Sequence, residues 1–258
     1  MSSPDADSAN LTPTPGQFDS WYSAMAASPR RDALVQQHLG LPPDLFTTSA
    51  LGWDGVEDVT RALLLETDQL LLDLACGRGG YGLEVARRCG ARVLGVDSSS
   101  EAVKLATRNA EGSDVPATFR RGAMESTGLD DASVDAILCV DAIQLSTTPL
   151  SAYAEMRRVL RPGGRVVLTT WVPLDPEDQS LALRLRQVNP QLGLSAAGFG
   201  NVDVQDRPGW LAQEQSLWQA ALELDAGDDQ GLLDLRAEAE VALPRTEHLQ
   251  RVIASAVA

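Results

Sequence analysis

Apolar and polar positions alternate with two different spacings along this chain, and the contrast is sharpest between Gln69 and Asp97 (QLLLDLACGRGGYGLEVARRCGARVLGVD). A short apolar run, Leu70 to Leu74, is interrupted by one carboxylate at Asp73 and leads into a turn of glycines, Gly77, Gly79 and Gly80. Leu83, Val85 and Ala86 then fall among Glu84, Arg87 and Arg88 with helical spacing, and a second apolar run, Ala91 to Val96, ends in Asp97. The pattern predicts strand, glycine turn, helix and strand, which is one βαβ unit of an open α/β sheet.

The same reading extends in both directions. Residues 1–16 are polar and proline-rich and are expected to form a disordered tail. Helices are expected at about Phe18 to Ala27 and at Pro29 to Leu39, the second ended by Gly40 and two prolines. Asp54 is a plausible N-cap of a third helix, whose Val56, Val59, Leu63 and Leu64 share a face. After Asp97 the pattern predicts a helix to about Glu111, strands at Ala117 to Arg121 and Ser133 to Val140, a helix at Ser151 to Leu160, and a strand from Arg165 to Trp171. Beyond Trp171 it predicts a helix at Asp178 to Val188, a strand at Gly198 to Asp206, helices at Gly209 to Leu224 and Leu232 to Val241, and a final apolar run from Arg251 to Val257.

Ligands of such sheets sit at the carboxyl ends of the strands, where glycines let the backbone approach closely. Asp97 stands 20 positions after Gly77, where a carboxylate can accept both hydroxyls of a ribose. Gly77, Gly79 and Gly82 also match the G-x-G-x-x-G dinucleotide pattern, so the glycines alone suit a nicotinamide cofactor equally well. Asp73 separates the two: a carboxylate ending the first strand would repel a pyrophosphate at the helix N-terminus and would favour a cationic amino-acid group.

The residues L-L-D-L-A-C-G-R-G-G (Leu71 to Gly80), with G-V-D (Gly95 to Asp97) downstream, resemble the class I S-adenosylmethionine-dependent methyltransferases, in the small-molecule group. L-R-P-G-G-R (Leu160 to Arg165) ahead of a strand is a second, independent resemblance. It implies a Rossmann-like, doubly wound sheet of seven strands, mostly parallel, with the last strand antiparallel and a helical lid. It further implies a lid at 17–53 and a core at 54–258 with a helical insertion at about 209–243. The cofactor implied is S-adenosyl-L-methionine, bound by Asp73, Ala75, Gly77, Gly79, Asp97, Ser98, Ala123, Met124, Glu125 and Asp141. The loop after the fourth strand, Asp141-Ala142-Ile143-Gln144, would lie beside the transferring methyl. Asp141 and Tyr22 are then the catalytic candidates, with Gln144 and Trp171 facing substrate.

Departures from the family narrow the acceptor. Ala123 stands where the family commonly has an acid, so the adenine amino group must be met by another group such as Glu125. The loop carries D-A-I-Q instead of N-P-P-Y, and Cys139 follows Leu138 rather than a proline, which argues against amide and cytosine methylation. Tyr153 is followed four positions later by Arg157 rather than the lysine of a short-chain dehydrogenase.

Composition narrows this picture further. Apolar residues make up 44% of the 258, an ordinary value for a globular α/β protein. With 36 acidic against 21 basic residues the net charge is −15, which argues against a nucleic-acid partner. Neither a signal peptide nor a membrane-length apolar stretch is evident, so a cytoplasmic protein without a membrane partner is expected. Cys76, Cys89 and Cys139 lack metal-ligand spacing and read as buried small hydrophobes, and no metal is expected. His38 and His248 read as surface or cap residues rather than bases.

The expected activity is methyl transfer to an O, N or C atom of a small molecule, in a chain that could also form a homodimer. Two alternatives stand beside it: a protein of this fold that binds S-adenosylmethionine without transferring methyl, as a cyclase or binding module, and an NAD(P)-dependent oxidoreductase.

Overall fold

The computed structural model describes residues 14–258. The expected tail at 1–16 lies largely outside the described residues, but Pro15 and Gly16 are already helical. Thr14 accepts from the Gln17 backbone N–H, the Gln17 side chain accepts from the Thr14 N–H, and helix α1 (Pro15–Ala26) starts on this reciprocal cap. Helix α2 (Pro29–Leu39) is capped by Ser28 and stopped by Gly40 at φ +65°, and α3 (Trp53–Leu63) leads into the sheet.

Strands β1 (Leu70–Leu74), β2 (Arg92–Asp97), β3 (Ala117–Arg121), β4 (Val134–Val140), β5 (Leu160–Pro173), β6 (Gly200–Asp206) and β7 (Leu249–Val257) form one sheet in the order β3-β2-β1-β4-β5-β7-β6. The first five are parallel, and β7 enters antiparallel between β5 and β6, pairing Thr169 with Ile253. This is the doubly wound, seven-stranded arrangement that the sequence resemblance implies. Helices α4 (Gly80–Cys89), α5 (Ser100–Ala110) and α6 (Pro149–Val159) provide the crossovers that parallel strands require. Val85, Leu71 and Leu138 pack with α3 on one face, and Ile137, Val166, Tyr153 and Met156 pack with α6 on the other.

Three boundaries differ from the sequence reading. Strand β5 is longer than Arg165 to Trp171 because the L-R-P-G-G segment is itself extended. Gly163, at φ +80°, donates to the Ala258 carbonyl, and Ala258 N–H donates to Gly164. The helix expected at Asp178 to Val188 shrinks to α7 (Leu183–Arg186), since Asp178 caps a turn and pairs with His248, and Leu181 and Leu185 pack on Leu249 instead of along one helix face. A further helix, α8 (Pro190–Ala196), follows at once; its Asn189 cap and N-terminal proline were legible signals.

After β6, α9 (Pro208–Glu223) and α10 (Gln230–Arg245) pack on α2 through Leu217, Trp218, Leu235, Val35 and Leu39. The N-terminal helices and the late helical pair therefore form one roof over the carboxyl ends of the strands. Among the described residues no helix is long and apolar enough to cross a membrane.

Candidate active site

Strands β1 and β4 are neighbours, and the sheet's connections run outward in opposite directions from them, so the crevice of the fold opens at their carboxyl ends. Both strands end on a residue with left-handed backbone: Ala75 at φ +58° and Asp141 at φ +51°. Neither is glycine, and such strain persists only where the surroundings fix it.

Two cavities meet here. The first, of about 270 Å3, is bordered by Phe18, Trp21 and Tyr22 of α1, by Ala75, Asp97 and Ser98, by Ala123, Met124 and Glu125, and by Asp141 and Leu145. Three carboxylates and no basic side chain line it. Asp97 is the best-defined of them. Its Oδ2 accepts from the Gly77 N–H and its Oδ1 from the Ser99 N–H, each at 2.9 Å, and burial nonetheless pushes its carboxyl up. Glu125 is less free than the sequence suggested, because it accepts from the Ser146 hydroxyl and the Thr147 N–H.

Asp73, Gly77 and Gly79 are not part of the walls of this cavity. Asp73 is buried below the first turn of α4, where a Cβ on Gly82 would come within 2.5 Å of its Oδ2. That oxygen has no hydrogen-bond partner, and burial together with the charge of Asp97 pushes the carboxyl up to about 7. A side chain on Gly77, at φ +53°, would strike the Thr48 hydroxyl at 2.6 Å and lie 3.1 Å from the Tyr22 hydroxyl, so these two cover the glycine turn. Arg78 points away from both cavities. It forms a two-pronged ion pair with Asp32 of α2 at 2.7 and 2.8 Å and stacks on Phe46.

The second cavity, of about 400 Å3, lies under the roof and shares Trp21, Thr48, Ser49, Asp141 and Leu145 with the first. Gln144 and Trp171 border it, as does the α10 face carrying Glu238, Val241 and Arg245. Asp141, one of the two catalytic candidates, stands between the cavities with both oxygens committed. They accept from Ser49 at 2.6 Å, from Thr169 at 2.7 Å and from Arg251 at 3.0 Å. Gln144 is fixed at both ends by the Asp141 carbonyl and Thr170.

Arg251 is fully buried, with its other prong on Glu214 at 3.2 Å and its guanidinium 4.2 Å over the Trp171 ring. Glu214 also accepts from the indole N–H groups of Trp171 and Trp218. Burial opposes the charge of Arg251, but Asp141 and Glu214 outweigh it and hold its pKa above the ordinary value. Tyr22 is pushed the other way for a base: burial and the charge of Asp97 raise its hydroxyl well above 10, so it remains a donor.

Glu238 has no hydrogen-bond partner among the described residues. It is open to water within the cavity, yet the protein packed around it desolvates the carboxyl and pushes it up to about 7. The sequence reading passed over Glu238, Glu214 and Arg251. A charged residue opening the apolar run at Arg251, and an acid between Trp210 and Trp218, were the available signals.

Residues 72–168, from β1 into β5, match the family model described as the methyltransferase domain. That stretch is similar in sequence to a methyltransferase domain. A sterol 24-C-methyltransferase from Yarrowia lipolytica is 32% identical over 112 residues, which cover 43% of this chain and 29% of that protein. The chain spans less than half the length of the first curated relatives it matches. Among solved structures, Haemonchus contortus phosphoethanolamine N-methyltransferase 2 in complex with S-adenosyl-L-methionine superposes with a TM-score of 0.73 at 20% identity, covering 93% of this chain and 59% of that one. The [4+2]-cyclase SpnF superposes with a TM-score of 0.69 at 20% identity, covering 96% and 97%. These two likenesses establish the fold.

The residues of the site fit the cofactor that the sequence resemblance implies. Asp97 offers a carboxylate already oriented by two N–H donors, Met124 and Val96 offer apolar surface, and the orphaned Oδ2 of Asp73 calls for a donor that an ammonium would supply.

Proposed function

We propose that this chain transfers a methyl group from S-adenosyl-L-methionine to a small molecule held in the second cavity. The observation that carries the reading is the first cavity itself, walled by three carboxylates and no cation, beside a second cavity that shares its wall. A sulfonium donor is stabilised in such a field, whereas the pyrophosphate of a nicotinamide dinucleotide would find only repulsion.

When bound, the cofactor supplies an electrophilic methyl for in-line displacement. What the protein contributes is alignment and exclusion of water. Asp97 binds the ribose hydroxyls, and Asp73 faces the ammonium of the methionine part from below α4. Ala123, Met124 and Glu125 border the adenine, while Ala75, Ser98 and the Gly77–Gly79 turn shape the channel between. Helices α1 and α2 act as the lid, with Tyr22 and Thr48 covering the glycine turn and the Arg78–Asp32 pair latching α2 to it.

Asp141 serves as a positioning residue, since its oxygens are occupied by Ser49, Thr169 and Arg251. The group placed to accept a proton from a hydroxyl or acidic carbon is Glu238, which lines the second cavity without a partner and has a pKa suited to that task near neutral pH. Gln144 and Trp171 shape the acceptor side.

Incubation with methyl-labelled S-adenosylmethionine and a panel of small acceptors tests the reading. Label appearing in a small product supports it, and labelled cofactor that binds yet transfers to none of the panel favours the second reading, in which the fold binds S-adenosylmethionine without methyl transfer. That second reading has one observation in its favour: a cyclase shares this fold over nearly the whole chain.

A further inference from the structure

Two arginines of the second cavity are answered directly by no acid among the described residues. Arg184 of α7 and Arg245 at the end of α10 both line it, and neither guanidinium has a hydrogen-bond or ion-pair partner among the described residues. The Nε of Arg184 is buried with nothing to donate to. Burial lowers the pKa of Arg184, the positive charge of Arg245 lowers it further, and burial lowers that of Arg245 itself.

Three other arginines with buried contacts are matched by acids, Arg78 by Asp32, Arg207 by Asp58, and Arg251 by Asp141 and Glu214, while Arg186, whose Nε is also buried without a partner, does not line this cavity. A chain with 36 acidic residues against 21 basic ones has carboxylates to spare, so two facing cations without one mark a place where the counter-charge comes from outside. Of the other acids of the cavity, Glu214 is held by Arg251, Trp171 and Trp218, and Glu238, which has no hydrogen-bond partner among the described residues, feels the charge of Arg31 and not that of Arg184 or Arg245.

Position narrows the ligand. Neither arginine borders the first cavity, so the group they bind lies away from the wall through which methyl would pass. The remaining lining is largely apolar, including Leu185, Leu217, Trp218, Leu235 and Leu249. Guanidinium forks match oxyanions such as carboxylate and phosphate through paired N–H donors.

We infer that the acceptor is an amphiphile with an apolar body and an anionic end, a carboxylate or a phosphate, and that Arg184 and Arg245 bind that end. This inference rests on the reading of the second cavity as the acceptor site.

Decanoate, decyl phosphate, decanol and decylamine, titrated calorimetrically with and without S-adenosylhomocysteine, test it. The expected result is that at least one anionic probe binds about tenfold tighter than decanol and decylamine. The stronger of the two anions then identifies the oxyanion. The doubly substituted R184Q/R245Q protein should lose this preference, while R236Q, which removes a surface arginine paired with Glu240 on the same helix, should keep it.

Because the two arginines repel each other, ligand-free R184Q/R245Q should melt at or above the wild-type temperature. Equal binding of decanol and the anions, a preference that survives in R184Q/R245Q, absence of binding by all four probes, or a clear fall in melting temperature of the double variant would each overturn the inference. Failure of S-adenosylhomocysteine alone to give any heat would instead overturn the methyltransferase reading, whatever the probes do.

Discussion

Asp97 concentrates the cofactor chemistry in one side chain, because backbone donors on both of its oxygens fix its orientation before any ligand arrives. D97A should weaken S-adenosylhomocysteine binding by about 10- to 100-fold in calorimetry, the value of hydrogen bonds to a charged acceptor. Asp73 shows the same physics with the opposite balance. Its pKa near 7 lies above the ordinary 3.8, so between these values the folded protein holds a proton that the unfolded chain has released. Stability from this group therefore falls as pH rises from about 4 to about 7. Ligand-free D73N should melt higher than wild type, with the gap widening from pH 5 to pH 8, yet bind S-adenosylhomocysteine more weakly. Glu238 predicts a rate that rises as pH passes about 7 and its carboxyl ionises, among the fixed charges of Arg31, Glu214 and Asp234. E238Q should flatten that rise and lower kcat by about 100-fold or more, the typical contribution of a positioned base. An unchanged pH profile would remove Glu238 from the chemistry.

At the scale of elements, the N-terminal helices are tied down by polar contacts as well as by the buried Tyr22, Met25, Val35 and Leu39. Asp19 of α1 accepts from the Ser99 and Ser100 hydroxyls and the Glu101 N–H at the start of α5, and these donors hold its pKa at about 2. Asp32 of α2 grips Arg78 of the glycine turn. D32N leaves a buried guanidinium half-answered, so it should lower stability by about 1–3 kcal/mol and speed S-adenosylhomocysteine release in stopped-flow. Helix α4 depends on a missing side chain: a Cβ at Gly82 would meet the Asp73 carboxylate at 2.5 Å, closer than atoms allow. G82A should therefore destabilise by about 1–3 kcal/mol despite the better helix propensity of alanine, as denaturant titration would measure.

Across the whole molecule, the chain Asp141–Arg251–Glu214 joins the ends of β4 and β7 to α9 and so couples the sheet to its roof. Removing the central cation would strand two buried carboxylates. R251M should cost about 3–5 kcal/mol in denaturant titrations, and D141N/E214Q/R251M should recover much of the loss because no buried charge remains. The same chain explains why Asp141 serves positioning rather than proton transfer: with Ser49, Thr169 and Arg251 on its oxygens it has none free to offer.

Part of the border of the first cavity was legible in the sequence, where Asp97, Ser98, Ala123, Met124, Glu125 and Asp141 stand at strand ends, although Gly77 and Gly79 lie outside its walls. A glycine turn after a strand, and an aspartate 20 positions on, recur wherever a close approach and a ribose-binding carboxylate are needed, and local spacing places them. That Asp73 is buried under α4 instead of lining the cavity was not legible, since it depends on how the helix sits on the strand. The second cavity was legible only as a roof of late helices. Its functional groups come from separate parts of the chain: Arg251 and Asp141 are 110 residues apart, and Arg184 and Arg245 border one cavity from positions separated by a strand and three helices. Alternation and spacing fix which residues a helix or strand turns inward. Which inward-facing charge meets which other one, and which is left for a ligand, is settled only when β7 inserts between β5 and β6 and sets Arg251 against Asp141 and Glu214.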